Sequence, residues 1–187
     1  MEKANFTVVE HCLACRSCEI ACAVEHSRSR TLAGALAETP RPRQRVRVEG
    51  AGAFSYPVRC MHCEEAACIA ACPSGAMTRH PRTNAVYVDA GRCIGCWMCV
   101  MVCPFGAVGA DPVARKALKC DRCPERVERG LPPACVAACP TRAMIFATPE
   151  EMAARQRQAA ARSAAGAVTA RAASTVEAWR TLGEGMR

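Results

Sequence analysis

Sixteen cysteines occur in this 187-residue sequence, and every one falls in a group of four. The most compact late group reads CIGCWMCVMVCP: Cys93, Cys96, Cys99 and Cys103 follow the run C-x2-C-x2-C-x3-C, ahead of Pro104. Cys12, Cys15, Cys18 and Cys22 repeat that spacing. Cys60, Cys63, Cys68 and Cys72 widen the middle gap to four residues before Pro73, and Cys120, Cys123, Cys135 and Cys139 widen it to eleven before Pro140. Three thiolates this close let a tight loop take three corners of one iron–sulfur cube. The fourth cysteine is expected to start a helix that turns away, out of reach of that cube, and so to ligate the neighbouring [4Fe–4S] cluster. A proline suits the kink, because it fixes φ and gives up a backbone donor. Sixteen ligands with none left over make four clusters.

Zinc also takes C-x2-C pairs, but a structural zinc site combines two separated pairs and has no need of C-x2-C-x2-C-x3-C. A zinc-ribbon binding protein is therefore the remote alternative. Disulfides need an oxidising compartment, and the opening MEKANFTVVEH has no apolar signal core. The expected location is the cytoplasm.

Composition bounds the rest. Apolar residues reach 51%, but the cysteines inflate that figure, and aromatics are only 4%. The core is thin, so the clusters must supply much of the folding energy and the metal-free chain is expected to be largely unfolded. The formal net charge of +8 treats cysteines as neutral. An oxidised cubane with its four thiolates carries about −2, so four of them cancel that excess. The arginines then balance the clusters and favour their reduced forms. No basic stripe interleaved with aromatics suggests a nucleic-acid partner. Residues 93–110 carry no charge over a length near the membrane-span threshold. The four ligand cysteines, a proline and three glycines within it exclude direct membrane insertion.

Short β-prone runs introduce the cysteine groups. FTVV precedes Cys12, FSYPV precedes Cys60 and AVYV precedes Cys93. RVRV (45–48) is expected to pair with FSYPV across EGAGA, GAMTR with AVYV across HPRTN, and AMIFAT (143–148) with FTVV. With small helices after each fourth cysteine, the class is α+β. Residues 26–43 read as a surface linker. PERVERGLPPA (124–134) reads as a helical turn ended by Gly130 and a proline-stiffened return. From 149 onward the chain is Ala- and Arg-rich, with Thr148, Pro149 and Glu151 as N-cap, first-turn proline and capping-box acid. Gly166 is expected to divide this tail into two helices, with Val168, Ala172, Val176, Trp179 and Leu182 on one face. His11, His26, His62 and His80 are scattered and read as surface or packing residues. No acid–base pair or nucleotide loop is present, so no catalytic residue is assigned.

In this order and with these spacings, the four groups resemble the four-cluster electron-transfer subunits of redox complexes, among them those of dimethyl-sulfoxide reductase, formate dehydrogenase and formate hydrogenlyase. CLACRSCEIACAVEHS is most similar to the branch serving carbon-monoxide dehydrogenase, with near relatives beside bacterial tungsten aldehyde oxidoreductases. PVRCMHCEEAACIAACPSGAM and KCDRCPERVERGLPPACVAACPTRAM carry the likeness through residues 6–148. The resemblance implies a duplicated bacterial-ferredoxin-like domain over 1–148, with an outer half (1–25 and 112–148) and an inner half (44–111), followed by a helical tail over 149–187.

It also implies the ligand sets. Cluster 1 takes Cys12, Cys15, Cys18 and Cys139. Cluster 2 takes Cys22, Cys120, Cys123 and Cys135. Cluster 3 takes Cys60, Cys63, Cys68 and Cys103, and cluster 4 takes Cys72, Cys93, Cys96 and Cys99. Some relatives lose a cysteine in the third group and hold a [3Fe–4S] cluster; here Cys96 is present beside Trp97. Arg142 departs from the pattern of Gly75 and Gly106, either turning a side chain to a partner or marking a backbone with no need of positive φ. The implied function is a non-catalytic electron wire between a catalytic oxidoreductase subunit and a further donor or acceptor. A tungsten (or molybdenum) aldehyde oxidoreductase is favoured over a carbon-monoxide dehydrogenase or nickel–iron hydrogenase. A flavin or hydrogenase subunit, head-to-tail copies joined through 149–187, and a free polyferredoxin are the alternatives.

Protein purified without oxygen should be brown and hold close to one iron and one sulfide per cysteine, sixteen of each. A well-folded preparation with half that iron and tightly bound zinc would overturn the assignment.

Overall fold

The computed structural model describes residues 3–184, with the side chains of Ala51, Ala172 and residues 176–184 left out. The chain divides into two compact units, one from Ala4 to Phe146 and one from Ala147 onward that includes Lys3.

The first unit is built on four two-stranded sheets. β1 (Ala4–Thr7) pairs with β8 (Met144–Ala147), β2 (Arg47–Ala51) with β3 (Phe54–Val58), β4 (Met77–Arg79) with β5 (Val86–Val88), and β6 (Val108–Asp111) with β7 (Lys116–Lys119). FTVV and AMIFAT thus contribute partner strands, and GAMTR and AVYV meet with Met77 opposite Val88. The hairpin across EGAGA is tighter than its sequence suggests. Ala51 lies opposite Phe54, so only Gly52 and Ala53 turn, with Gly52 at φ 61°. β6 and β7 went unread in the sequence. Asp111 closes their turn by accepting from the N–H groups of Val113 and Ala114 at 2.9 and 3.0 Å.

The helices α3 (Ala67–Ala70), α4 (Met98–Met101) and α6 (Ala134–Ala137) each begin one residue before the third cysteine of their group and end before the fourth, not after it, whereas α1 (Ser17–Glu25) spans both Cys18 and Cys22. The proline after Cys72, Cys103 and Cys139 explains this. It disfavours the helical region for the residue before it, so the helix must end there. Cys22 is followed by Ala23 instead, and α1 runs on to Glu25. α1 packs against α6, and α3 against α4. One core gathers Cys18, Cys22, Val46, Val48, Cys135 and Met144; the other gathers Ala76, Met77, Val86, Cys93, Cys99, Val108 and Ala117. The stretch 26–43 is not only a linker: it folds α2 (Leu32–Ala37), whose first turn is capped by Thr31 accepting from Gly34 N–H at 3.2 Å. α5 (Pro124–Glu128) ends as read, with Gly130 at φ 76°.

In the second unit a single helix, α7 (Pro149–Glu184), runs through Gly166 without a break. One glycine costs about 1 kcal/mol, and the surrounding alanines outweigh it. Its start is a reciprocal capping box: Thr148 N–H donates to Glu151 at 2.8 Å, and Glu151 N–H donates to the Thr148 hydroxyl at 3.1 Å. Of the expected apolar face Val168 is exposed, while the side chains of Ala172, Val176, Trp179 and Leu182 lie outside the described residues. Among the described residues no helix is long and apolar enough to cross a membrane.

Arg142 resolves one expectation against its second reading. It sits at φ 55°, matching Gly75 at 62° and Gly106 at 58°. Each N–H reaches back to the fourth cysteine's carbonyl of its group, at 3.2, 3.2 and 3.3 Å for Arg142, Gly75 and Gly106. The turn needs positive φ in all three places, and Arg142 bears a strain of about 1–2 kcal/mol. Arg142→Gly should therefore raise the denaturant midpoint for iron release, and Arg142→Val should lower it. Equal midpoints for the two variants would refute the strain.

Candidate metal centres

The residue before the second cysteine has positive φ in every group: Ala14 at 54°, His62 at 53°, Gly95 at 71° and Arg122 at 67°. This curls each loop around a concavity. At Gly95 a side chain is also excluded, because a Cβ would lie 2.4 Å from the Arg115 carbonyl oxygen. The curled loops aim backbone N–H groups at sulfur. His62 N–H reaches Cys60 Sγ at 3.3 Å, and Arg122 N–H reaches Cys120 Sγ at 3.4 Å. Arg45 N–H reaches Cys22 Sγ at 3.2 Å, and Met77 N–H reaches Cys72 Sγ at 3.4 Å.

The cysteines gather across groups. One cavity is lined by Cys12, Cys15, Cys18 and Cys139. A second is lined by Cys60, Cys63, Cys68 and Cys103, and a third by Cys72, Cys93, Cys96 and Cys99. Cys22, Cys120, Cys123 and Cys135 lie within electrostatic reach of one another. Their exposure is graded. Cys15 and Cys96 are exposed, flanked by Leu13 and Ile94 at 71% and 67% exposure, whereas Cys120, Cys123 and Cys135 are buried.

Burial makes lone thiolates unfavourable here. It raises Cys18 and Cys120 to about 11, Cys123 to about 12, and Cys135 well above its ordinary value. At Cys72 and Cys139 burial is outweighed by N–H donors, led by Met77 and Met144, which lower both. A coordinated metal deprotonates such thiols outright, so the donor set fits iron.

The buried cations give a second test of fit. Arg59, Lys119 and Arg122 are only 2%, 3% and 7% exposed. Arg59 donates to Thr7 Oγ1 at 2.9 Å and Phe6 O at 3.1 Å; Lys119 donates to Val86 O and Cys120 O. Among the described residues no carboxylate pairs with Arg59 or Lys119. Burying a charge costs several kcal/mol unless an opposite charge answers it. A negatively charged iron–sulfur site supplies that answer. Sequence reading treated the arginines as a collective balance and missed these three, because nothing in residue type marks a cation as buried.

The histidines are more engaged than their scatter suggests. His62 is buried, accepts Val86 N–H on Nδ1 at 3.0 Å, and is held neutral; burial first, then Lys119 and Arg122, push it down to about 2. His26 donates from Nδ1 to Cys22 O at 2.7 Å and from Nε2 to Asp121 at 3.1 Å. Burial opposes its charge, but Asp121 and Cys22 raise it to about 9. With both nitrogens donating, its ring has no lone pair for a metal. Arg45 also pairs with Asp121. His80 lies against Glu128 and stacks edge-on with Tyr87, and the 3-10 turn Val9–His11 leads into Cys12.

Residues 52–149 match the model of the 4Fe-4S dicluster domain. The chain is 40% identical over 147 residues to an iron-sulfur protein of Rhodospirillum rubrum, covering 72% of this chain and 76% of that one. It is 40% identical over 151 residues to the electron transport protein HydN of Escherichia coli strain K12, covering 72% and 81%. It is 36% identical over 150 residues to one of the polypeptides of anaerobic dimethyl sulfoxide reductase from the same strain, covering 75% and 71%. Matched family and curled thiol loops agree, and the chain belongs to the 4Fe-4S dicluster domain family of iron–sulfur electron-transport proteins.

Proposed function

We propose that the chain is a non-catalytic electron-transfer subunit holding four [4Fe–4S] clusters in a row. The observation that carries this is the gathering of three cysteines of one group with the last of another. On this reading Cys12, Cys15, Cys18 and Cys139 hold cluster 1; Cys22, Cys120, Cys123 and Cys135 cluster 2; Cys60, Cys63, Cys68 and Cys103 cluster 3; and Cys72, Cys93, Cys96 and Cys99 cluster 4. The order follows from neighbours. α1 carries Cys18 and Cys22, joining sites 1 and 2. Lys119 lies beside both Cys120 and Cys68, joining 2 and 3, and Cys99 is near Cys68 and Cys72, joining 3 and 4.

Each bound cluster would take up and release single electrons. The protein's own part is to bury the site of Cys22, Cys120, Cys123 and Cys135 and to leave Cys15 and Cys96 open at the two ends. Leu13 beside Cys15 and Ile94 beside Cys96 form exposed apolar collars suited to partner surfaces. The partner at one end is a catalytic oxidoreductase subunit. A tungsten aldehyde oxidoreductase is favoured by the likeness of the first cysteine group, and the naming of one relative as part of a reductase supports a subunit role. The second unit, with its exposed α7 surface over 155–171, is the docking element for that subunit.

Cys22→Ala should damage the site of Cys120, Cys123 and Cys135 and spare that of Cys12, Cys15 and Cys18. Magnetic-resonance signals lost only from the latter would refute the exchange. A protein ending at residue 148 should keep its full iron content and recover less of the catalytic subunit from native extracts. Recovery equal to that of the full-length protein would remove the docking role, and iron loss would place the tail within the cluster domain.

A further inference from the structure

Arg59 and Lys119 occupy matching positions. Arg59 follows β3 and Lys119 ends β7, and each immediately precedes the first cysteine of its group, Cys60 or Cys120. In the other two groups the residues at that place are His11 and Arg92, both exposed. The matching extends to their anchors. Arg59 donates to the backbone of β1, and Lys119 to the backbone of β5. Each also lies near a cysteine of another group, Arg59 near Cys135 in the fourth and Lys119 near Cys68 in the second. Asp121 is the nearby opposing charge, and it is already held by Arg45 and His26. Arg122, also buried, adds to the positive side and donates to Thr83 O at 3.3 Å.

We propose that Arg59 and Lys119 are potential-setting residues, which make the two central clusters easier to reduce than the two outer ones. The inference rests on the four-cluster reading above. Reduction adds one negative charge and neither forms nor breaks a bond in the protein. The electron comes from a reduced redox centre of the partner at one exposed end and leaves to an oxidised one at the other. Burial by itself works the other way, since it disfavours the more negative reduced state. A fixed cation in the same water-poor interior acts through a low effective dielectric and outweighs that penalty. Cluster potentials respond to net charge and exposure in this manner. Electrons arriving at either end are thereby drawn inward and held in the middle.

The test is a potentiometric titration followed by electron paramagnetic resonance, on wild type, Arg59→Met, Lys119→Met, Arg59→Lys, Lys119→Arg and Arg92→Met. Iron and sulfide counts on each sample check the four-cluster reading separately. Each neutral variant at a buried position should lower the reduction equilibrium of the central pair by about tenfold, about 59 mV for a one-electron couple. The outer pair should stay in place. The charge-keeping variants should titrate like wild type, and Arg92→Met should move little. Fully loaded Met variants with unchanged waves, or with all four waves shifted equally, would overturn the proposal. Loss of iron from both Met variants would also overturn it, by making the two residues structural supports.

Discussion

One helical turn separates the third from the fourth cysteine in each group, and the rest of the architecture answers to that spacing. Four residues of helix advance about 6 Å, enough to send two thiols of one short segment into different cavities. Cys68 and Cys72 show this directly: the first lines the cavity of Cys60, the second that of Cys93. Paired sites are therefore neighbours by covalent geometry. The same turn ties segments far apart in sequence, as when Cys139 returns to the cavity of Cys12. Two-stranded sheets are marginal alone, and here three of them feed their second strand, and the fourth its first strand β1, into a thiol loop directly or through a short turn. Metal and fold are mutually dependent in such a design.

Charge is distributed with the same economy. The formal excess of positive residues is not spread evenly over a surface. Arg155, Arg157, Arg162 and Arg171 line an exposed helix, where water screens them. Arg59, Lys119 and Arg122 are withdrawn from water in the interior, where a charge has large effects at short range. The two populations are chemically alike and physically unrelated.

That distinction marks where sequence reading ends. The thiol spacing was legible because coordination demands it locally. The hairpin of β4 and β5 was legible because Met77, Val86 and Val88 bracket turn-forming residues. β6 and β7 were hidden, since VGAD and KALK carry charges and a glycine and lack aromatic residues; their pairing depends on burial of Val108 and Ala117 beside Cys93 and Cys99. Three of the helices sit a few residues earlier than the cysteine spacing suggests, because Pro73, Pro104 and Pro140 restrict Cys72, Cys103 and Cys139 before them. The strained φ of Arg142 had no signature in residue type. The buried cations were beyond reach for a different reason: burial is a property of the folded whole.

The pairing of the first strand with the last has a consequence for how the protein is made. Polypeptides emerge from the ribosome N-terminus first. Cys12, Cys15 and Cys18 are out of the exit tunnel long before Cys139, the thiol that shares their cavity. The cavity of Cys60, Cys63, Cys68 and Cys103 is complete much earlier. That site is thus available for cofactor loading while synthesis continues. The site of Cys12, Cys15 and Cys18 is complete only once Cys139, just ahead of β8, has been made, so its filling reports that translation has passed the last of the cysteines.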